Sequence, residues 1–513
     1  MPPHVLTILT EGSTHQTMGM LLYRWLTDAM NTRGSAKALV YRDTYLSWRG
    51  LHHRVERRAQ EFAAMGIGPG HWVGLMLGNV PDFAILALAL SKLGATVVPL
   101  DPTTGVRDLN LLLEAAPLRA LITRPRGGTD APSSQSTPTP AQAASMQTYG
   151  RGKKPSARIE PESRRRLQGT LLTCSIYKRD EEPLGPATAV LLTADSSGDP
   201  KGVLRTEENL LANCEHLQRA LEVSPEDRIL TTVPLFAAYG FDLGLALSLR
   251  YGATLYLEDE VAPKRIVKIV REQEIDLLPG TPPLYAALSK LPTAKPLKQK
   301  RARFLATGSL LHEATAEAFR ERWGPRIIPM YHTTEAGAVS CDRKGLAPET
   351  VGKPLEGVEV RLDEARPDGS HPIWVRSAAV ASKAAGSILM PSKDGHKRAP
   401  VGSLDSEGWL RTGDTGRMDK TGRIQLIGRE DDLVKVDGKR VALGEVEGCL
   451  ESYPKVKAAQ ARVFMDPTGS AMVIASVVCL SRCDPEEIID HCARNLAPYK
   501  VPRRIEFCES LPA

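Results

Sequence analysis

Aromatic residues are scarce in this 513-residue chain, at 5% for Phe, Trp and Tyr together, and no periodic repeat of solenoid length runs through it. Propeller and repeat-array architectures are thereby excluded. Metal-type cysteine pairs are also missing. Cys174, Cys214, Cys341, Cys449, Cys479, Cys483, Cys492 and Cys508 form no Cys-x-x-Cys pair and have no histidine nearby at zinc-ligand spacing, so they read as reduced packing residues. No long hydrophobic run occurs: the longest lies within residues 83–90, far below the ~18 residues of a spanning helix. Residues 1–10 lack the basic start and apolar stretch of a secretory leader. Neither sign of charge dominates, with 66 Lys and Arg against 60 Asp and Glu, a net +6 spread along the chain. That balance argues against a nucleic-acid partner. Together these absences lead to the expectation of a cytoplasmic protein without a transmembrane segment.

Apolar residues make up 42% of the chain and charged residues 25%, enough to bury an ordinary core without disulfides or metal. The length allows two or three domain-sized units. Short β-branched or leucine-rich runs recur at 37–41, 71–77, 96–100, 119–122, 189–193, 228–233, 254–257, 276–278 and 327–331, with amphipathic stretches between them. From 71 to 100 the order is strand, helix opened by Pro81, stop at Gly94, strand, a unit that needs a parallel crossover. The expected class is α/β: a large N-terminal body of layered, mostly parallel sheets with helices.

Residues from 124 to about 166 break this rhythm with Ser, Thr, Pro, Gln and Gly, then the basic clusters Lys153–Lys154 and 164–166. They read as a low-complexity surface insertion, a solvated loop. Beyond Gly428 the pattern changes again. Leu443, Val446, Leu450 and Tyr453 share one helical face, strands follow at 459–464 and 471–480, and Asp484 caps a helix with Pro485 in its first turn. We therefore expect a large domain over 1–428 and a small α+β domain over 429–513.

The most informative stretch is 191–202, LLTADSSGDPKG, after which Thr206 caps a helix to about Leu221. A strand running into small hydroxyl residues and then a lysine supplies freed backbone N–H groups, hydroxyl donors and one ammonium, which is what phosphate needs. The spacing is not that of a Walker loop, because Lys201 follows Gly198 by three residues and precedes Gly202 instead of Ser or Thr. Taken alone, the stretch fits a structural turn as well as a phosphate site.

Three further segments follow in order: Tyr331-His-Thr-Thr-Glu335, Gly408-Trp-Leu-Arg-Thr-Gly-Asp414, and 428–438, GREDDLVKVDG. With the first stretch, their order and separation resemble the adenylate-forming superfamily of acyl- and aryl-CoA synthetases, luciferases and peptide-synthetase adenylation domains, from about Tyr23 to the last residue. The resemblance implies ATP, Mg²⁺ and coenzyme A as cofactors. It places Ser196, Ser197, Gly198 and Lys201 on the ATP phosphate loop and Thr334 with Glu335 on the phosphate and Mg²⁺ site, Thr334, Glu335 and Lys201 being the catalytic set and Glu335 the metal ligand. Tyr331 falls beside adenine, Asp414 on the ribose hydroxyls, Arg429 at the domain junction, Asp431 on the hinge and Gly438, with Lys435, on the thioester-forming face. Ala237, Ala238, Tyr239 and Gly240, together with Gly308 and Ser309, match segments lining the acid pocket. Trp409 reads as packing.

The implied activity is an ATP-dependent carboxylic acid–thiol ligase that forms acyl-AMP and then acyl-CoA from an aryl or medium- to long-chain fatty acid. Two alternatives stand beside it, a ligase loading an acyl carrier protein and a degenerate, non-catalytic acyl- or nucleotide-binding homologue. Several positions depart from the family pattern. Ala194-Asp195 replaces the usual Ser-Gly, and a carboxylate ~5 Å from a phosphate charge would cost about 3 kcal/mol at an effective dielectric of ~20, roughly two orders of magnitude in affinity. His332 replaces a glycine and is expected to add bulk beside adenine, Glu207 stands where histidine is common, and Ala237 where an aromatic or histidine often gates the acid pocket. The sequence stops at Ala513, on the segment that leads into the family's catalytic lysine loop, so the resemblance leads to the expectation of either a truncated sequence with an incomplete small domain or impaired adenylation.

Overall fold

Runs such as TVVPL and WVGLM bury every residue, which is the signature of strands covered on both faces. In the computed structural model the described residues are 20–104, 106–124, 161–178, 187–194, 200–291, 296–297, 301–366, 369–381, 403–430, 433–436, 439–465, 471–496, 500–509 and 511. Two large sheets form the body. In the seven-stranded sheet, Leu118–Thr123, Trp72–Met76, Thr96–Leu100 and Ala189–Ala194 run parallel. The nine-stranded sheet has a parallel centre, Ile327–Thr333, Arg303–Ala306, Leu277–Gly280, Arg228–Thr231, Thr254–Leu257 and Lys37–Tyr41, with antiparallel strands at both edges. The helix Pro81–Lys92 buries every residue from Phe83 to Ser91 and packs against the helices Trp48–Ala64 and Leu21–Arg33, so its apolar composition belongs to the core and not to a membrane. Among the described residues no helix is long and apolar enough to cross a membrane.

The third sheet of the body is wholly antiparallel: Glu359–Leu362, His371–Arg376, Leu410–Met418 and Ile424–Arg429. Trp409 packs beside it at 8% exposure, with Arg361 and Arg376 stacked over its ring. The expected insertion lies outside the described residues from 125 to 160, but its end is not a loop. Ser163–Arg166 pairs antiparallel with Thr173–Ile176 at the sheet edge, its three arginines exposed, where charge discourages further strand pairing.

The small C-terminal unit is α+β, as expected. Val456–Met465, Ala471–Cys479 and Arg504–Phe507 form a sheet covered by the helices Leu443–Glu451 and Pro485–Asn495, with Val446, Leu450, Ile488 and Cys492 fully buried. All eight cysteines are free thiols, and burial pushes Cys174 and Cys341 up to about 12.

Candidate active site

In parallel α/β sheets, loops that can hold ligands gather beyond the carboxyl ends of the strands. The strand Ile327–Thr333 leaves the core there, buried through Tyr331, and reverses through residues 334–336 into the antiparallel strand Gly337–Cys341. This turn is held on every side. Thr333 Oγ1 accepts from the Ala336 N–H at 3.0 Å and Asn213 Oδ1 from the Ala338 N–H at 2.9 Å. Arg205 Nη1 donates to the Thr334 carbonyl at 3.0 Å, and the Ala381 N–H to the Glu335 carbonyl at 2.8 Å. Gly337 closes the turn at φ +69°, where an added Cβ would lie 2.4 Å from Asn213 Oδ1. With both carbonyls tied down, Thr334 and Glu335 remain half-buried and not sealed in the core.

Tyr331 is 4% exposed and its hydroxyl donates to Asp414 Oδ2. Burial first, and then the Asp414 charge, hold that hydroxyl's pKa well above its ordinary value. Asp414 stands directly opposite Arg429 in the antiparallel sheet, and Arg429 Nη1 reaches its Oδ1 at 3.4 Å. Three residues drawn from segments almost a hundred positions apart thus meet in one cluster, with Thr334 and Glu335 next along the same chain.

Asp195, Ser196, Ser197 and Gly198, the expected phosphate loop, lie outside the described residues, as do Asp431 and Gly438. The strands flanking the loop are described: Ala189–Ala194 and Pro200–Arg205 form a hairpin in which Lys201 faces Thr193. Glu207 pairs with Arg24 at 2.7 Å. Ala237 precedes a short helical turn in which Ala238 and Tyr239 are buried, and Gly240 sits so close to the preceding chain that a Cβ would lie 2.1 Å from the Pro234 carbonyl oxygen. Gly308, at φ +92° with nothing within 4 Å of a Cβ, and exposed Ser309 follow the strand Arg303–Ala306, the immediate neighbour of Ile327–Thr333.

His332 corrects an expectation. It does not crowd the Tyr331–Asp414 side. Its Nε2 meets Asp242 Oδ2 at 3.0 Å and its ring lies edge-on to Tyr239, 5.5 Å between centroids. Alternate side chains of a strand point to opposite faces, so a residue following Tyr331 faces the Tyr239 segment instead. The sequence reading missed Asp242 and its partner Arg205. A signal was present: Asp242 is the single acid between Asp227 and Glu258, in a stretch otherwise rich in Leu, Gly and Ala.

A body of two mostly parallel sheets and one antiparallel sheet, followed by a small α+β unit, is the architecture of an adenylate-forming enzyme. The AMP-binding enzyme family model matches residues 26–383, and the model of the AMP-binding enzyme C-terminal domain matches residues 445–513. The chain belongs to this family. Among curated relatives, feruloyl-CoA synthase from Amycolatopsis sp is 28% identical over 93% of both chains. The 2-succinylbenzoate–CoA ligase of Bacillus licheniformis is 24% identical over 95% of this chain and 96% of its own. Among solved structures, the o-succinylbenzoate coenzyme A synthetase from Bacillus subtilis in complex with ATP and magnesium ion superposes with a TM-score of 0.75 at 22% identity, covering 95% of this chain and 96% of its own.

Proposed function

We propose that this chain is an ATP-dependent carboxylic acid–thiol ligase: the acid's carboxylate attacks the ATP α-phosphate, pyrophosphate leaves, and the thiol of coenzyme A then displaces AMP from the acyl adenylate. The observation that carries this reading is the Tyr331–Asp414–Arg429 cluster beside the braced turn bearing Thr334 and Glu335. Asp414 is a carboxylate fixed by two donors and 16% exposed, suited to accept the two ribose hydroxyls. Thr334 offers a hydroxyl donor and Lys201 an ammonium to the phosphates.

The residues fit magnesium-bound ATP. Among the described residues no group of three His, Cys, Asp or Glu side chains could hold a metal alone. A single carboxylate, Glu335, with phosphate oxygens and waters suits Mg²⁺, which seldom uses an all-protein cage. When bound, the ion would draw charge from the phosphate oxygens. The work of the chain is to position the reactants and hold donors where charge develops.

The acid is read as aryl or medium- to long-chain. Tyr239, in the segment matched to the acid pocket, packs edge-on against His332, and the curated relatives that act on aromatic acids support the aryl half of that range. The test is a panel of aryl and fatty acids with ATP and coenzyme A, reading pyrophosphate release and thioester mass. Thioester from at least one acid is expected; ATP binding without thioester from any acid would favour the non-catalytic homologue.

A further inference from the structure

Arg205 ends the hairpin strand that follows residues 195–199, the expected phosphate loop, and Asp242 lies on the π-helical turn Phe241–Ala246 just after the Tyr239 segment. Both side chains are 0% exposed and stand 3.5 Å apart, Nη1 to Oδ2. His332, at 3% side-chain exposure, meets the same Asp242 oxygen. Asn213, on the helix Glu207–Leu221, also bears on Asp242. Burial alone would lift the Asp242 carboxyl, but Arg205, His332 and Asn213 outweigh it and hold it below the ordinary carboxylate value.

A buried ion pair is a poor way to gain stability, since desolvating both charges offsets most of their attraction. What distinguishes this pair is what else Arg205 holds. The same Nη1 donates at 3.0 Å to the carbonyl of Thr334, so one guanidinium nitrogen binds both the π-helical turn and the turn that presents Thr334 and Glu335. Single π-turns inside helices are uncommon and cluster at functional sites. His332, two residues before Thr334, ties the strand itself to Asp242, and Asn213 braces the return strand through the Ala338 N–H.

We infer that Arg205 is a positioning residue for the nucleotide site: with Asp242 as its counter-ion and His332 as the second tether, it fixes the backbone of the turn that carries Thr334 and Glu335. The inference rests on reading those two residues as nucleotide ligands. It goes beyond that reading by assigning their placement to a buried cluster that itself never touches ATP.

Arg205→Lys keeps the positive charge that Asp242 needs, but its ammonium lies one bond short of where Nη1 stands and cannot reach both the Thr334 carbonyl and the Asp242 carboxylate. Calorimetric titration of ATP into the full chain, well below its melting transition, should show affinity about tenfold weaker in this variant. The KM for coenzyme A should stay within twofold of wild type, a split that general destabilisation would not produce. His332→Leu, which leaves the Arg205–Asp242 pair in place, should weaken ATP about fivefold, and His332→Gln, whose amide can still donate to Asp242, should restore it to within twofold. A folded Arg205→Lys variant that binds ATP like wild type would overturn the inference. Should Arg205→Lys not fold, equal ATP affinity in the Leu and Gln variants of His332 overturns it and the Gln rescue upholds it. Wild type that fails to bind ATP at all would instead sink the functional reading beneath it.

Discussion

At the scale of single residues, charge partners and exposure decide which side chains act on a ligand and which on stability. Arg429 is 43% exposed, so its contact with Asp414 is solvent-screened and contributes little to folding. In the proposed function, the Asp414 carboxylate matters for what it can accept from a ligand. Asp414→Asn keeps the acceptor for the Tyr331 hydroxyl and removes the charge. It should leave the melting temperature nearly unchanged while weakening ATP between about tenfold and a hundredfold, measured by calorimetry. Asp242 behaves in the opposite way, because it is sealed. Its folded pKa lies below the unfolded value of 3.8. The unfolded chain therefore binds more protons in that range, so the stabilisation is complete above the unfolded value and is lost as pH falls through the folded one. In Asp242→Asn, the acid limb of stability against pH should be flatter below about pH 4, read by denaturant midpoints at a series of pH values. Tyr331, Asp414 and Arg429 are legible in the sequence as candidates because each sits in a recognisable local motif, and the fold brings them into one cluster. The sequence did not disclose Arg205 or the direction of His332, because those depend on which buried partner a strand end meets, and that partner lies 37 positions from Arg205 and 90 from His332 along the chain.

At the scale of elements, legibility follows the locality of the cause. Thr206 was expected to cap a helix reaching about Leu221, and it does: its hydroxyl accepts from the Asn209 N–H at 3.2 Å while the Asn209 side chain accepts from the Thr206 N–H at 3.1 Å. Asp484 likewise caps Pro485–Asn495, accepting from the Glu486 N–H at 3.0 Å. Such caps are written in four consecutive residues. The edge strand Ser163–Arg166 and the π-turn Phe241–Ala246 are not, since a polar edge carries no alternating pattern and a π-turn is imposed by its packing. Thr206→Ala should cost about 1 kcal/mol. The helix it caps carries Asn213, the brace of the Glu335 turn, so the fall in melting temperature should be accompanied by faster amide exchange at Ala338, whose N–H is held by Asn213. A lowered melting temperature with unchanged exchange at Ala338 would separate the cap from the site.

At the scale of the whole molecule, the issue is how the large body ends before the small domain begins. Asp431, the hinge implied by the family resemblance, lies outside the described residues, but Glu430 immediately before it does not. Its N–H donates to the Gly413 carbonyl at 2.6 Å, and its carboxylate, 6% exposed, accepts from Arg366 at 2.7 Å and from Arg411 Nε at 3.0 Å, with a second Arg411 nitrogen on the other oxygen. A rotating segment needs a fixed point, and two guanidiniums gripping one buried carboxylate would provide it immediately before the hinge that the family resemblance implies. Glu430→Gln preserves the shape and removes the charge both arginines share, a change expected to cost about 3 kcal/mol on the scale of broken buried pairs. Because Glu430 touches neither Tyr331 nor Asp414 in this cluster, ATP affinity should stay within about twofold of wild type. Limited proteolysis should accelerate between residues 430 and 443, and thioester formation should slow more than pyrophosphate release, since the second step needs the small domain returned to a defined position. Equal slowing of both steps would place Glu430 in the general stability of the body, and unchanged proteolysis would show that the anchor of the small domain lies elsewhere.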